Sequence, residues 1–82
     1  MKLQTIECKA RALGLETRIY RMTGGYDGLF INYERVDEYG QARRLSVHET
    51  APLEKYLARY KIPWEYRGHY TSILIKGEVK TA

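Results

Sequence analysis

Between Pro52 and Pro63, Leu53, Tyr56, Leu57 and Tyr60 fall at i, i+3, i+4 and i+7, the spacing of one face of an α-helix. Thr50 can cap this helix, and Pro52 suits its first turn, where a missing N–H has no partner to lose. Pro63 ends it, because the residue before a proline is pushed out of helical geometry. A helix with one apolar stripe must lay that stripe on another layer. In a chain of 82 residues the rest of the sequence has to supply that layer.

Most of it reads as strand. Leu3, Ile6, Ala10 and Leu13 form a second, shorter helical stripe stopped by Gly14. Residues 16–22 are β-branched and aromatic around Ile19 and Tyr20, and residues 29–36 give the strongest strand pattern. The three glycines of Thr23-Gly24-Gly25-Tyr26-Asp27-Gly28 relieve the steric bar on positive φ and make a turn between these strands. Asp37-Glu38-Tyr39-Gly40-Gln41 makes a second turn, and residues 42–47 return as a third strand. Residues 64–70 are irregular or extended, and residues 71–76 form a fourth strand.

The expected fold is α+β, one small domain over 1–82 in the order α-β-β-β-α-β. Its antiparallel sheet is a three-stranded meander plus a fourth strand, with both helices on one face. Order is expected over about 2–77, with 78–82 a flexible tail.

Alternation along the strands then divides the side chains between two faces. With Ile19, Ile31, Tyr33, Leu45 and Val47 toward the helices, the reverse face presents Arg18, Tyr20, Phe30, Asn32, Arg44 and Ser46. Cations, rings and hydrogen-bonding groups together suit stacking on bases and pairing with phosphates, or an acidic protein surface. The plainer reading has Tyr20 and Phe30 packed on each other or under a loop. Tyr26 and Tyr39 lie in turns, where a ring has little to bury against and serves well at a recognition surface. Lys55 and Arg59, one turn apart on the outer side of the second helix with Lys61 close behind, extend this set to a possible phosphate-tracking patch with Arg18 and Arg44.

Fourteen Lys and Arg against ten Asp and Glu give a formal charge of +4, which favours polyanionic partners without specifying one. One cysteine, Cys8, forms no internal disulfide and suits a reducing, cytoplasmic setting. The N-terminus meets Glu7, Lys9 and Arg11 before any apolar stretch, so no signal peptide or membrane span is expected.

Chemistry-bearing motifs are incomplete. His48-Glu49 has Pro52 where a zinc-protease motif needs its second histidine, and His69 lies far along the chain. Cys8 with either histidine would be a nucleophile and base without material for an oxyanion site. The glycine-rich turn leads into a strand, whereas a phosphate-cradling loop leads into a helix N-terminus. No enzyme activity, cofactor or metal is therefore expected.

The run Tyr26-Asp27-Gly28-Leu29-Phe30 through Asp37-Glu38-Tyr39-Gly40, then Arg44, then a helix, resembles the arm-binding domains of phage and transposon integrases. Those domains lay a three-stranded sheet in the DNA major groove with a helix behind it. The likeness spans about half of the chain; the first helix and last strand have no counterpart. The element order through the second helix is also similar to the double-stranded RNA-binding domain, with Ala51-Pro52-Leu53-Glu54 where that family has a lysine-rich helix start. No functional residue is carried over from either. The function expected is a non-enzymatic module that contacts nucleic acid or a nucleoprotein complex through the sheet face. The alternatives are a phage-type adaptor or inhibitor that masks a protein partner, and a homodimer formed through an open edge strand.

Overall fold

The computed structural model describes residues 2–77, so the expected flexible tail at 78–82 lies outside the described residues. Helix α1, Leu3–Ala12, buries Leu3, Ile6 and Ala10. It stops at Gly14, whose φ of +82° lets the chain double back so that the Leu15 N–H donates to the Ala10 carbonyl at 3.0 Å. Strands β1 (Thr17–Arg21), β2 (Asp27–Asn32), β3 (Glu34–Val36) and β4 (Ala42–Arg44) follow, then α2 (Val47–Arg59), β5 (Glu65–Arg67) and β6 (Ser72–Lys76). The fold is α+β and antiparallel, and the α-β-β-β-α-β order stands, with β2 and β3 together spanning the second expected strand.

The strand pairing differs from a simple meander. The main sheet runs β1-β2-β6-β5, and β3 pairs with β4 in a separate two-stranded ribbon. Backbone direction explains the exchange. Odd-numbered residues of β2 turn their backbone groups toward β6, up to the bond from Tyr33 N–H to the Thr71 carbonyl at 2.9 Å. Leu45 N–H then donates to the Tyr33 carbonyl at 2.7 Å, and Asp37 N–H to the Gln41 carbonyl at 2.9 Å. The returning strand thus takes up the partnership where β6 leaves off. Beside β2 itself the position belongs to β6, whose Ile73, Leu74 and Ile75 are all buried, as a strand covered on both faces requires. Ala42, Arg43 and Arg44 are exposed throughout and would leave charges inside such a position.

A further difference lies at the end of β4. Ser46 and Val47 belong to α2, not to a strand: Ser46 is the N-cap, and the Glu49 carboxylate accepts its N–H at 3.0 Å, half of a capping box. Val47 consequently faces solvent, 76% exposed. Starting this early also puts Pro52 inside the helix and not in its first turn, so the His48 carbonyl loses its intrahelical donor.

Both helices lie on one side of the sheet. Leu3, Ile6 and Ala10 of α1 and Leu53 and Leu57 of α2 join Leu29, Ile31, Ile73 and Ile75 in one apolar cluster, with Ile19, Leu45 and Trp64 packed at its margin. Tyr33 is buried in the same cluster.

Candidate binding face

Residues paired across neighbouring strands share a side of the sheet. On the side away from the helices, Arg18, Phe30, Leu74 and Glu65 form one cross-strand row. Tyr20, Gly28 and Lys76 form a second, and Asn32, Ser72 and Arg67 a third. Leu74 is only 1% exposed yet stands outside the helix-side cluster. Its cover is local. A Cβ on Gly28 would lie 2.8 Å from Met22 Cγ and 2.9 Å from Leu74 Cδ1, so these side chains close over the bare glycine. Tyr20 meets Phe30 edge to face at 5.6 Å. Lys76 Nζ stands 5.8 Å over the Tyr26 ring, which brings that turn residue to the end of the same face.

The charges are unevenly engaged. Arg67 and Lys76 both reach the Glu65 carboxylate, at 3.2 and 3.6 Å. Arg18 is exposed and has no ion-pair partner among the described residues. It rims a shallow depression of about 200 Å³ with Glu16, Thr17, Tyr20, Phe30, Asn32 and Ser72. Asn32 accepts the Glu34 N–H on its side-chain oxygen at 3.1 Å, which leaves its amide NH2 as a donor toward that depression.

Of the residues singled out from sequence, Arg18, Tyr20, Phe30 and Asn32 share this face and Tyr26 borders it. Arg44 does not. Alternation along its strand holds, but that strand belongs to the separate ribbon, and the Arg44 guanidinium donates to the His69 carbonyl at 3.1 Å. Lys55 and Arg59 lie on the opposite side of the molecule from Arg18, because α2 buries Leu53 and Leu57 against the other face of the sheet. The joint cationic patch of Arg18, Arg44, Lys55 and Arg59 is therefore dispersed. Tyr39 stands at the ribbon tip, 79% exposed. There Asp37 organises the turn. Its carboxylate accepts from Gln41 and Tyr39 N–H and from Arg43, and these bonds, Gln41's first, hold its pKa below the ordinary value despite desolvation. Sequence reasoning missed Leu74, Lys76, Glu65 and Arg67. The alternation of Glu65-Tyr66-Arg67 was the available signal for a strand.

A second concavity, about 220 Å³, lies between the ribbon, α2 and the β5–β6 turn, lined by Tyr33, Arg44, Glu54, Tyr66 and Tyr70 among others. Tyr66 meets Trp64, Tyr70 and Tyr33 at 5.0, 4.8 and 6.3 Å. The turn is strained: His69 and Tyr70 hold φ of +57° and +70°. The Tyr33 hydroxyl donates to Glu54 Oε1 at 3.1 Å, and burial first, the Glu54 charge second, push its pKa above the normal tyrosine range. In the unfolded chain Tyr33 ionises near pH ~10. Above that pH the unfolded state loses a proton the folded state keeps, so stability present below pH ~10 falls by up to about 1.4 kcal/mol per pH unit. Tyr33→Phe is expected to remove this component, seen as a shallower decline of Tm between pH ~10 and ~11 than in the parent.

Cys8, His48 and His69 are each exposed, on α1, on α2 and in the β5–β6 turn. Among the described residues no group of three metal-ligating side chains comes together, and no helix is long and apolar enough to cross a membrane. Compared with family models, curated proteins and solved structures, the chain matches none.

Proposed function

We propose that this chain is a non-enzymatic module that binds single-stranded nucleic acid on the helix-free face of its sheet. The observation that carries the reading is Arg18, without an ion-pair partner among the described residues, beside Tyr20, Phe30 and the amide of Asn32, on the face of the sheet away from both described helices. Rings offer stacking to unpaired bases, which is tolerant of sequence, and the Arg18 cation tracks the backbone. A rigid duplex asks for more. Its affinity rests on many simultaneous phosphate contacts, and Lys55 and Arg59 lie behind the sheet, out of reach of a duplex seated on this face.

The test is fluorescence anisotropy with a labelled ten-nucleotide strand and the matching duplex. Binding of the strand is expected to weaken with salt at a log–log slope of about −0.7 per phosphate contact, and Arg18→Ala to make that slope shallower by about 0.7. Absence of any anisotropy change at low salt, or equal affinity for the duplex, would overturn the proposal.

A second reading, an adaptor that masks a protein partner, draws on the β3–β4 ribbon. Its Val36 and Tyr39 are 66% and 79% exposed, the kind of surface that anchors protein contacts. Salt-resistant co-purification of one protein, lost in Tyr39→Ala, separates it from the first.

A further inference from the structure

Among the described residues the main sheet has two edges, β1 and β5. Strand β5 is three residues long, and shortness alone blunts an edge. Strand β1 has five residues and lacks most of the devices that usually protect one: it contains no proline, no lysine and no bulge, its register with β2 running unbroken from Thr17 to Arg21, and the charges it carries are Arg18 and Arg21.

Its backbone can be accounted for residue by residue. Asn32 N–H donates to the Glu16 carbonyl at 2.9 Å and Met22 N–H to the Tyr26 carbonyl at 2.8 Å. Because antiparallel pairs alternate, the even-numbered residues of β1 bond inward to β2. Thr17, Ile19 and Arg21 then turn their N–H and C=O groups outward, and no backbone partner among the described residues meets them.

We infer that a second copy of this chain occupies this edge, its β1 antiparallel to the first and the two Ile19 residues facing each other across the two-fold axis. This register is set by the outward groups. It pairs Ile19 with Ile19 and Thr17 with Arg21, so all six outward donors and acceptors of each strand are used. It is also compatible with charge. On the helix-free face Arg18 lies opposite Tyr20 of the second copy, where a guanidinium can rest on the ring, and no arginine opposes an arginine. On the helix side Arg21 of the second copy comes beside Thr17, whose hydroxyl donates to Glu7 at 3.1 Å while Arg11 donates to it at 2.9 Å. The resulting sheet is continuous through both copies. Two Arg18, two Tyr20 and two Phe30 then lie on one surface, so the depression at Arg18 is completed by a ring from the second copy. The inference stands apart from the nucleic-acid reading, since self-association is read from mass without any ligand.

One short strand pair buries less than the roughly 1,200–2,000 Å² of stable interfaces, which places the dimer in the micromolar-to-millimolar range. Sedimentation velocity on the full chain from about 10 µM to about 1 mM should show mass rising toward the dimer. Ile19→Pro removes the central outward N–H while leaving the β1–β2 ladder its bonds, and should weaken association at least about tenfold, with far-UV circular dichroism unchanged. If that variant fails to fold, cysteine pairs decide. In a Cys8→Ser background Ile19→Cys should form a disulfide dimer on oxidation, because facing residues of a hydrogen-bonded pair stand about 5.5 Å apart, inside the disulfide range. Thr17→Cys should not, since Thr17 faces Arg21. A monomer at every concentration, undiminished association in a folded Ile19→Pro, or equal crosslinking at Thr17 and Ile19 would overturn the inference.

Discussion

Leu74→Ala is expected to lower the unfolding free energy by about 2–4 kcal/mol, within the range of roughly 2–5 kcal/mol for truncating a fully buried leucine. That is as much as a position beneath the helices would give, although no helix covers Leu74. The side chain is 1% exposed, sealed by Met22 across Gly28, with Phe30 beside it in its cross-strand row. Removing three carbons there opens a hole that Met22 can only partly fill. For a domain of this size the loss corresponds to a Tm fall of roughly 8–32 °C, at about 4–8 °C per kcal/mol. Urea melts of Leu74→Ala and of Val36→Ala, whose parent residue is 66% exposed, make the comparison internal. The second change should stay within about 0.5 kcal/mol of the parent. A loss under about 1 kcal/mol at Leu74 would mean that the helix-free face is not sealed by its own side chains.

That seal was only partly legible in the sequence. The stripe of Leu53 and Leu57 and the stop at Pro63 announced α2, since helical spacing is a local property. Its start was misplaced because Ser46 and Glu49 form the cap before the stripe begins. Alternation correctly grouped Arg18, Tyr20, Phe30 and Asn32, for the same local reason. What alternation does not reveal is the neighbour. The choice between β4 and β6 beside β2 is made by a strand that arrives only after α2, and pairing of that kind is governed by burial on both faces. Ile73-Leu74-Ile75 carried the hint, three apolar residues in succession where a half-covered strand would alternate. Arg43-Arg44 carried the converse one. Alternation within a strand says nothing of which strand lies beside it, so it puts Arg44 on a sheet its strand does not join.

The position where fold and proposed activity meet most closely is Phe30, and its truncation separates them. Phe30 occupies the middle of β2, half-buried, with Arg18 and Leu74 beside it in the cross-strand row and Tyr20 against its edge. If single strands stack on this face, Phe30→Ala removes the ring that stands across from Arg18 on the neighbouring strand. Base–aromatic stacking contributes about 1–3 kcal/mol per base, so affinity for the ten-nucleotide strand should fall by roughly 5- to 150-fold. Some stability will go with it, because Phe30 also borders Leu74. The affinity is therefore measured well below the variant's own Tm, with folding verified by circular dichroism. Tyr20→Phe is the counterpart: it keeps the ring, loses only a hydroxyl, and should leave strand binding within about twofold of the parent. Phe30→Ala binding the strand as tightly as the parent while still folded would remove stacking from the account of this face. The surface would then be left with Arg18 and Asn32 as its recognition groups, too few for the single-strand reading to survive.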